Sequence, residues 1–170
     1  MKTGNSKLRL LISVSSLIFS LVSVVIRAQN FNIQSFTTRE GLSHNDVRAI
    51  TADSSGFLWL GTWDGLSRYD GYSFKNYHHR SDDSLSLPYF SVRELAVDGA
   101  DNLWLLTDNF TLAKYDRTRD IFLPANSIWK NLPSKFRHIN VDEAGNLWIF
   151  NPESAFRFDY RNNRFRKYSI

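Results

Sequence analysis

Apolar and polar residues alternate over short stretches of this chain, and residues typical of turns bound each stretch. Val47 to Ala52 alternates as a strand with one buried face does. The segments FLWLG, NLWLL and NLWIF, which begin at Phe57, Asn102 and Asn146, are apolar at successive positions, as in strands buried on both sides. Because no long stretch after residue 28 has helical periodicity, the pattern predicts an all-β protein.

Three segments of similar sequence follow one another at a nearly constant distance. They are centred on Trp59, Trp104 and Trp148, which are 45 and 44 residues apart. Each Trp is preceded by an apolar residue twelve positions earlier and by Asp six positions earlier, and an aromatic–Asp pair follows ten or eleven positions later. A period of about 40–50 residues is typical of solenoids, propellers and other repeat arrays.

Each repeat is predicted to contain four short strands. In the first repeat we expect strands at Val47 to Ala52, Phe57 to Thr62, Leu66 to Tyr69 and Phe74 to Tyr77. The sequences between them, DSSG, DG and DG, are typical of tight turns, since Asp forms local hydrogen bonds and Gly adopts positive φ.

A four-stranded repeat of this length favours β-propeller blades over a two-sheet sandwich, whose strands alternate more cleanly. We predict blade repeats at about 47–77, 92–122 and 136–168, with 31–36 as the outer strand of a missing closing blade. Closed propellers need at least about four blades, so we predict an incomplete propeller. A fragment, a truncated gene and a subunit that closes by assembly are all compatible with this pattern.

The first 28 residues are predicted to be a signal peptide that adopts a helix. Basic residues precede an uncharged apolar run from Leu10 to Ile26, and cleavage after Ala28 would leave Gln29 as the first residue. Arg27 makes this an imperfect cleavage site, so an uncleaved anchor in the inner membrane is the alternative.

Charge and composition exclude several classes of function. The chain has 21 basic residues, of which four lie in the first 28, leaving 17 against 17 acidic residues in the remainder. A nucleic-acid-binding domain would need its own basic excess, so we expect no nucleic-acid partner. The absence of cysteine excludes thiol chemistry, and the four histidines form no spaced metal-ligand pattern, so no metal or cofactor is expected.

The stretch GLSHNDVRAITADSSGFLWLGTWDGLSRYDGYSFKNY, which begins at Gly41, resembles the two-component regulator propeller repeat. The resemblance extends over 31–170 and weakens after the first repeat. Asp101 and Leu106 replace expected glycines, and IFNPES stands in the third repeat where LGTWDG stands in the first.

The resemblance implies the periplasmic sensor part of a Bacteroidetes hybrid two-component system. Relatives of this kind are expected to respond to oligosaccharides from polysaccharide breakdown. Signalling would then require partners beyond this chain: the remaining blades, a membrane-bound histidine kinase and a homodimer. No kinase motif occurs in the sequence, so we expect no enzymatic activity in this chain.

Two features that imitate catalytic motifs have simpler explanations. SHNDVRAI resembles a phospho-acceptor histidine box, but Ala49 occupies the place of the expected proline, so His44 is interpreted as a loop residue. The adjacent pairs Asp82–Asp83 and Asp142–Glu143 lack the shielded cleft that acid–base catalysis requires. A secreted polysaccharide lyase or hydrolase with a propeller fold, and a structural blade set without a ligand, remain as alternatives.

Aromatic residues that do not recur between repeats are the better candidates for ligand binding, because architecture does not explain them. Trp63, Tyr89 and Trp129 are such residues, and their rings could stack on sugars. Arg68 and Asn109 could supply polar contacts nearby. The alternative is that these aromatic residues fill loops or blade junctions.

Overall fold

Three antiparallel four-stranded sheets form the described part of the protein, and each corresponds to one sequence repeat. The computed structural model describes residues 33–130, 132–133, 135–162 and 164–169. Blade one consists of β1 (Val47–Ala52), β2 (Leu58–Thr62), β3 (Gly65–Tyr69) and β4 (Phe74–Tyr77). Blade two consists of β5 (Val92–Val97), β6 (Leu103–Thr107), β7 (Leu112–Asp116) and β8 (Ile121–Pro124), and blade three of β9 (His138–Val141), β10 (Leu147–Asn151), β11 (Ser154–Asp159) and β12 (Arg164–Ser169).

The predicted all-β propeller architecture is confirmed. The strands of each blade pair in chain order, and the first strands β1, β5 and β9 pack against one another in sequence. The blades form an open arrangement within the described residues. One four-residue helix, α1 (Ala125–Ile128), lies in the connection between blades two and three.

An aspartate and a tryptophan six residues apart hold each blade together at the turn after its first strand. Asp53 accepts hydrogen bonds from the backbone N–H groups of Ser55 and Phe57, at 3.0 and 3.1 Å, and from the indole of Trp59 at 2.7 Å. The same indole–carboxylate bond recurs between Trp104 and Asp98 at 2.9 Å and between Trp148 and Asp142 at 3.0 Å. Turn formation therefore explains why this Asp recurs at repeat spacing.

Aromatic side chains fill the junction between blades one and two. Trp59 stacks on Tyr77 of its own blade, with ring centroids 5.9 Å apart, and contacts Tyr115 of blade two at 4.9 Å. Tyr77 in turn lies 5.8 Å from Tyr115 and 5.3 Å from Phe122. We call Trp59, Tyr77, Tyr115 and Phe122 the first aromatic quartet; all four residues are buried.

A second aromatic quartet, consisting of Trp104, Trp129, Phe158 and Phe165, joins blades two and three. Trp129 stacks on Trp104 at 4.9 Å with nearly parallel rings, and it lies 4.7 Å from Phe158 and 5.2 Å from Phe165. Trp129 comes from the connection after α1 rather than from a strand. The connection therefore supplies the ring that Tyr77 supplies in the first quartet.

The two replaced glycines of blade two have structural consequences. Asp101 adopts a φ of 60° at the turn position that Gly56 and Gly145 occupy in the other blades. Its carboxylate accepts a hydrogen bond from the Ser54 backbone at 2.8 Å and pairs with Arg117 at 3.1 Å, so it links blade two to blade one. Leu106, in the place of Gly61, is fully buried in the core shared with blade three.

Only part of the segment that was predicted to be an outer strand, 31–36, lies within the described residues. Residues 31 and 32 lie outside the described residues, and 33–36 are not in a strand. An edge strand forms only against a partner strand, and the partner expected here belongs to a blade beyond the three described. The predicted signal peptide, 1–28, also lies outside the described residues. No helix in the described part of the chain has the length and apolar character needed to span a membrane.

Candidate ligand-binding face

At one end of each blade lies the turn between its second and third strands. The long connections between blades lie at the same end. Antiparallel pairing places the start of β1, the β2–β3 turn and the end of β4 at the same end of the blade. The backbone N–H of Gly65 donates to the Phe90 carbonyl at 2.6 Å, and that of Asp108 donates to the Ser91 carbonyl at 3.2 Å. We call this end the connection face. It is formed by residues 63–64, 78–91, 108–111, 125–130, 132–133, 135–137 and 152–153.

Three aromatic rings form a continuous surface on the connection face of blade one. Trp63 is 47% exposed and Phe90 is 38% exposed, and their ring centroids lie 6.3 Å apart. Tyr89 packs against Phe90 with ring centroids 4.1 Å apart. The structure therefore brings the predicted residues Trp63 and Tyr89 together through Phe90, which the sequence prediction did not include.

Arg48 lies beside this aromatic surface and is held there by one cation–π contact and two polar contacts. Its guanidinium lies 5.3 Å from the centroid of the Trp63 ring, within the range of a cation–π interaction. It also forms an ion pair with Asp108 and donates a hydrogen bond to the Ser91 hydroxyl at 3.0 Å. A register shift between Val47 and Ala49 leaves Arg48 at a β-bulge, a feature that redirects side chains.

The Asp108 carboxylate is suited to holding Arg48. Burial raises its pKa, but hydrogen bonds from Ser91 and Arg48 outweigh burial, so the pKa of Asp108 lies below its usual range. The carboxylate is therefore ionised at neutral pH. We call Arg48, Trp63, Tyr89 and Phe90 the arginine–aromatic cluster.

Phe110, a second aromatic residue of the connection face, lies beside two arginines at the junction of blades two and three. The Phe110 ring lies 5.7 Å from the guanidinium of Arg93 and 5.1 Å from that of Arg137. Phe110 adopts a φ of 65° in a three-residue turn, at a position where glycine is usual. A bulky residue in this conformation carries strain of about 1–3 kcal/mol, which occurs mainly at functional sites.

A cleft of about 230 Å³ adjoins Phe110. Its lining includes Asn109, Pro124, Leu132 and Lys135. The side-chain oxygen of Asn109 accepts a hydrogen bond from the Thr107 hydroxyl at 2.6 Å, so it shapes the turn. The predicted residue Asn109 thus lies on the connection face, in a cleft separate from the arginine–aromatic cluster.

The other two predicted residues lie among the packed aromatic side chains. The guanidinium of Arg68 lies 4.4 Å from the Phe57 ring and 5.7 Å from the Trp59 ring, and its Nε is buried without a hydrogen-bond partner in the described residues. Trp129 belongs to the second aromatic quartet, as the alternative interpretation of a blade-junction residue anticipated. Neither residue belongs to the arginine–aromatic cluster.

Sequence reasoning missed three arginines that lie on or beside the connection face. Arg48, Arg93 and Arg137 each directly follow the apolar residue that lies twelve positions before the repeat tryptophan. This recurrence was a readable signal. Because recurring residues were attributed to the architecture, the arginines were not predicted as binding residues. A repeated scaffold can, however, repeat a binding group as well.

The chemistry available on the connection face is that of binding. Exposed rings can stack on the apolar faces of a ligand, while fixed guanidinium and amide groups can bind its oxygen atoms. No group of three or more His, Asp or Glu residues suited to a metal ion occurs within the described residues. The Asp82 carboxylate, in one of the adjacent acidic pairs, accepts a hydrogen bond from Arg80, which lowers the pKa of Asp82 and keeps it ionised.

Two comparisons with known proteins each match part of the chain. The family model for the two component regulator propeller matches residues 41–64. A histidine kinase from Formosa agariphila, Histidine kinase P4, is 43% identical over 75 residues. That match covers 43% of this chain and 6% of the kinase.

Solved structures resemble the chain over most of its length. The extracellular domain assigned to a hybrid two component system from B. thetaiotaomicron is 25% identical with a TM-score of 0.65, covering 80% of this chain and 20% of that one. A catalytically inactive virginiamycin B lyase from Staphylococcus aureus is 17% identical with a TM-score of 0.52, covering 76% of this chain and 43% of that one. At this identity the lyase shows a shared fold alone. The chain spans a small part of the proteins that it matches.

Proposed function

We propose that this chain, which carries a two-component regulator propeller repeat, forms part of an extracytoplasmic ligand sensor of a hybrid two-component system. Support comes from the match to residues 41–64 and from the likeness to the extracellular domain of such a system. Export to the periplasm through residues 1–28 belongs to the same proposal. The kinase, the further blades and a homodimer would be supplied by the longer signalling protein.

We further propose that the ligand is an oligosaccharide and that the arginine–aromatic cluster binds it. The observation that carries this step is the pairing of two exposed rings, Trp63 and Phe90, with a guanidinium fixed by Asp108. Sugar rings present an apolar face for stacking and hydroxyl oxygens at their edges for hydrogen bonds. A fixed Arg48 loses little conformational freedom on binding, which favours affinity.

Binding rather than catalysis fits the geometry of this cluster. Arg48 is a poor proton donor because a guanidinium remains charged, and Asp108 is occupied by Arg48 and Ser91. General acid–base catalysis needs a group whose pKa lies near the operating pH, whereas the pKa of Asp108 is lowered. A propeller enzyme is the competing hypothesis, and a glycan assay separates the two.

The test is isothermal titration calorimetry of the chain against a panel of oligosaccharides. We expect at least one glycan to bind without being cleaved, and Trp63→Ala to weaken that binding roughly tenfold, as loss of a central aromatic contact does. Tyr72→Ala is the matched control, because Tyr72 is 96% exposed in the turn at the opposite end of blade one. This variant should bind as the unmodified chain does.

Two results would contradict the proposal. Cleavage of a glycan would favour the enzyme hypothesis. Equal weakening by Trp63→Ala and Tyr72→Ala would remove the arginine–aromatic cluster as the binding site. Periplasmic fractionation of the expressed chain tests export independently of the ligand.

A further inference from the structure

The junction between blades two and three repeats the arrangement of Arg48 and Trp63. Arg93 lies eleven positions before its repeat tryptophan, as Arg48 does, and a register shift leaves both arginines at β-bulges. The Arg93 guanidinium lies 5.7 Å from the Phe110 ring, and the corresponding distance between Arg48 and Trp63 is 5.3 Å. Both rings come from the turn between the second and third strands of their blade. Arg93 and Phe110 are therefore the counterparts of Arg48 and Trp63.

The first junction neutralises its arginine within the protein. Asp108, four positions after the tryptophan of blade two, forms an ion pair with Arg48. Ser91, thirteen positions before the same tryptophan, accepts a hydrogen bond from Arg48 at 3.0 Å and donates one to Asp108 at 2.8 Å. Blade three has Pro152 and Lys135 at the positions of this acid and this hydroxyl. The second junction therefore lacks the carboxylate, and a cation replaces the hydroxyl.

Positive charge consequently gathers around Phe110. The Arg137 guanidinium lies 5.1 Å from the Phe110 ring, and Lys135 lines the adjoining cleft together with Phe110. Among the described residues, neither Arg137 nor Lys135 belongs to an ion pair. Glu153, in the nearby turn of blade three, is exposed and pairs with no cation in the described part of the chain.

Glu94 offsets only part of this positive charge. Its carboxylate lies 3.6 Å from the Arg93 guanidinium. The same carboxylate accepts a hydrogen bond from the Ile139 backbone N–H at 2.7 Å and lies 2.8 Å from Nδ1 of His138. Two arginines and one lysine therefore face one carboxylate, and three positive charges less one negative charge leave a formal excess of two.

We propose that this junction binds the carboxylate of an acidic sugar, which takes the place that Asp108 holds in the first junction. A guanidinium presents a planar fork of N–H donors that matches a carboxylate. Arg93 is held in place, since its side chain is 23% exposed and donates a hydrogen bond to the Arg137 carbonyl at 2.8 Å. We call Arg93, Phe110, Lys135 and Arg137 the basic junction site.

The cleft beside Phe110 limits the size of the group that the site can hold. Its volume of about 230 Å³ is below the roughly 300–1,000 Å³ typical of pockets for drug-sized ligands, which suits a single sugar residue. That residue would stack on the Phe110 ring while its carboxylate pairs with the guanidinium groups. This second subsite rests on the proposed oligosaccharide-binding function and specifies the chemical class of its ligand.

Isothermal titration calorimetry of the full chain with matched ligands tests the basic junction site. Each uronic-acid oligosaccharide of a panel is titrated as the free acid and as its methyl ester, which keeps the sugar rings and removes the charge. We expect the free acid to bind about tenfold more tightly or better, as hydrogen bonds to charged groups provide. This preference should shrink at high salt, which screens partly exposed charges.

Variants assign the preference to the basic junction site. Pro152→Asp supplies the carboxylate that the first junction has, so it should remove the preference for the free acid, while the uncharged Pro152→Asn should retain it. Arg137→Gln should weaken binding of the free acid alone. Arg119→Gln is the control, since Arg119 is exposed and pairs with Asp116 in the turn at the opposite end of blade two. Near-ultraviolet circular dichroism reports whether each variant is folded.

Trp63→Ala separates the basic junction site from the arginine–aromatic cluster. This variant should weaken binding of the free acid and of the ester alike and leave the preference unchanged. Equal binding of acid and ester by the unmodified chain would overturn the basic junction site and leave the oligosaccharide proposal standing. Binding that is weakened by Pro152→Asp but not by Trp63→Ala would support the basic junction site and remove the arginine–aromatic cluster as a binding site.

Three further outcomes would overturn the basic junction site. A preference for the free acid that survives in both Pro152→Asp and Arg137→Gln would place the carboxylate elsewhere. Selective binding of sulfated neutral oligosaccharides, without a preference for free acids, would assign the site to sulfate. Binding of no glycan, acidic or neutral, would overturn this site and the oligosaccharide proposal together.

Discussion

The indole Nε1 of Trp59 donates a 2.7 Å hydrogen bond to the carboxylate of Asp53, which lies six residues earlier at the turn between β1 and β2. Both residues are buried. Burial raises the pKa of Asp53, but hydrogen bonds from Trp59 and Arg117 outweigh it, so the pKa lies below its ordinary value. One ionised carboxylate thus organises a turn, an indole and a contact from blade two.

Replacement of Asp53 by Ala should destabilise the protein by about 2–3 kcal/mol, since it leaves a buried indole N–H unpaired and removes the bonds of the turn. Urea denaturation measures the change in free energy of unfolding. Asp70→Ala is the matched control, because this exposed aspartate also accepts turn hydrogen bonds, from the Tyr72 and Ser73 backbone, but is not bonded to an indole. Equal losses in the two variants would contradict this explanation.

Asp142 should contribute to acid sensitivity. Burial raises its pKa, but hydrogen bonds from Asn146 and Trp148 outweigh burial and lower the pKa to about 2. Because the pKa of Asp142 is lower in the folded than in the unfolded chain, its contribution to stability is present above the unfolded-state pKa of about 3.9. That contribution is lost as the pH falls towards about 2. Urea midpoints between pH 2 and 5 should therefore change less steeply with pH in Asp142→Asn than in the unmodified chain; identical slopes would contradict this.

Trp129 should contribute much more than Trp63 to the stability of the fold, although both were candidates for ligand binding. Trp129→Ala removes a ring from the second aromatic quartet and should destabilise the chain by about 2 kcal/mol or more. Trp63→Ala alters an exposed surface and should change the free energy of unfolding by about 0.5 kcal/mol at most. Thermal or urea unfolding of the two variants compares them directly, and the reverse order would refute this assignment.

Gly61 should tolerate no side chain while Val92 is present. A Cβ at Gly61 would lie 2.8 Å from Cγ1 of Val92 and 3.0 Å from its carbonyl oxygen, where β2 meets β5. Gly61→Ala should therefore destabilise the protein by about 1–3 kcal/mol through overpacking. The effect should be smaller in a Val92→Ala background, which a double-mutant cycle measures; additive effects would show that the contact is not the cause.

The strands could be predicted from the sequence because their signals are local. In blade one, alternation and turn residues located β1 and β4 at their observed bounds, and β2 and β3 within one residue. The candidate site was harder to predict, because Trp63, Phe90 and Arg48 come from a turn, a connection and an inner strand. Their proximity depends on how blade one meets blade two, which no single repeat encodes.

The sequence by itself determined the repeat, through tryptophans 45 and 44 residues apart. It also determined the four-stranded blades and their turns, since these follow from residues a few positions apart. The tertiary structure decided which aromatic residues pack into a junction between blades and which stay partly exposed. Trp129 is taken into a junction because Trp104 of the preceding blade and Phe158 of the following blade provide rings for it. Tyr69 and Phe74, which lie beside Phe36, stay half-buried, because burial of an aromatic ring depends on neighbours that are distant along the chain.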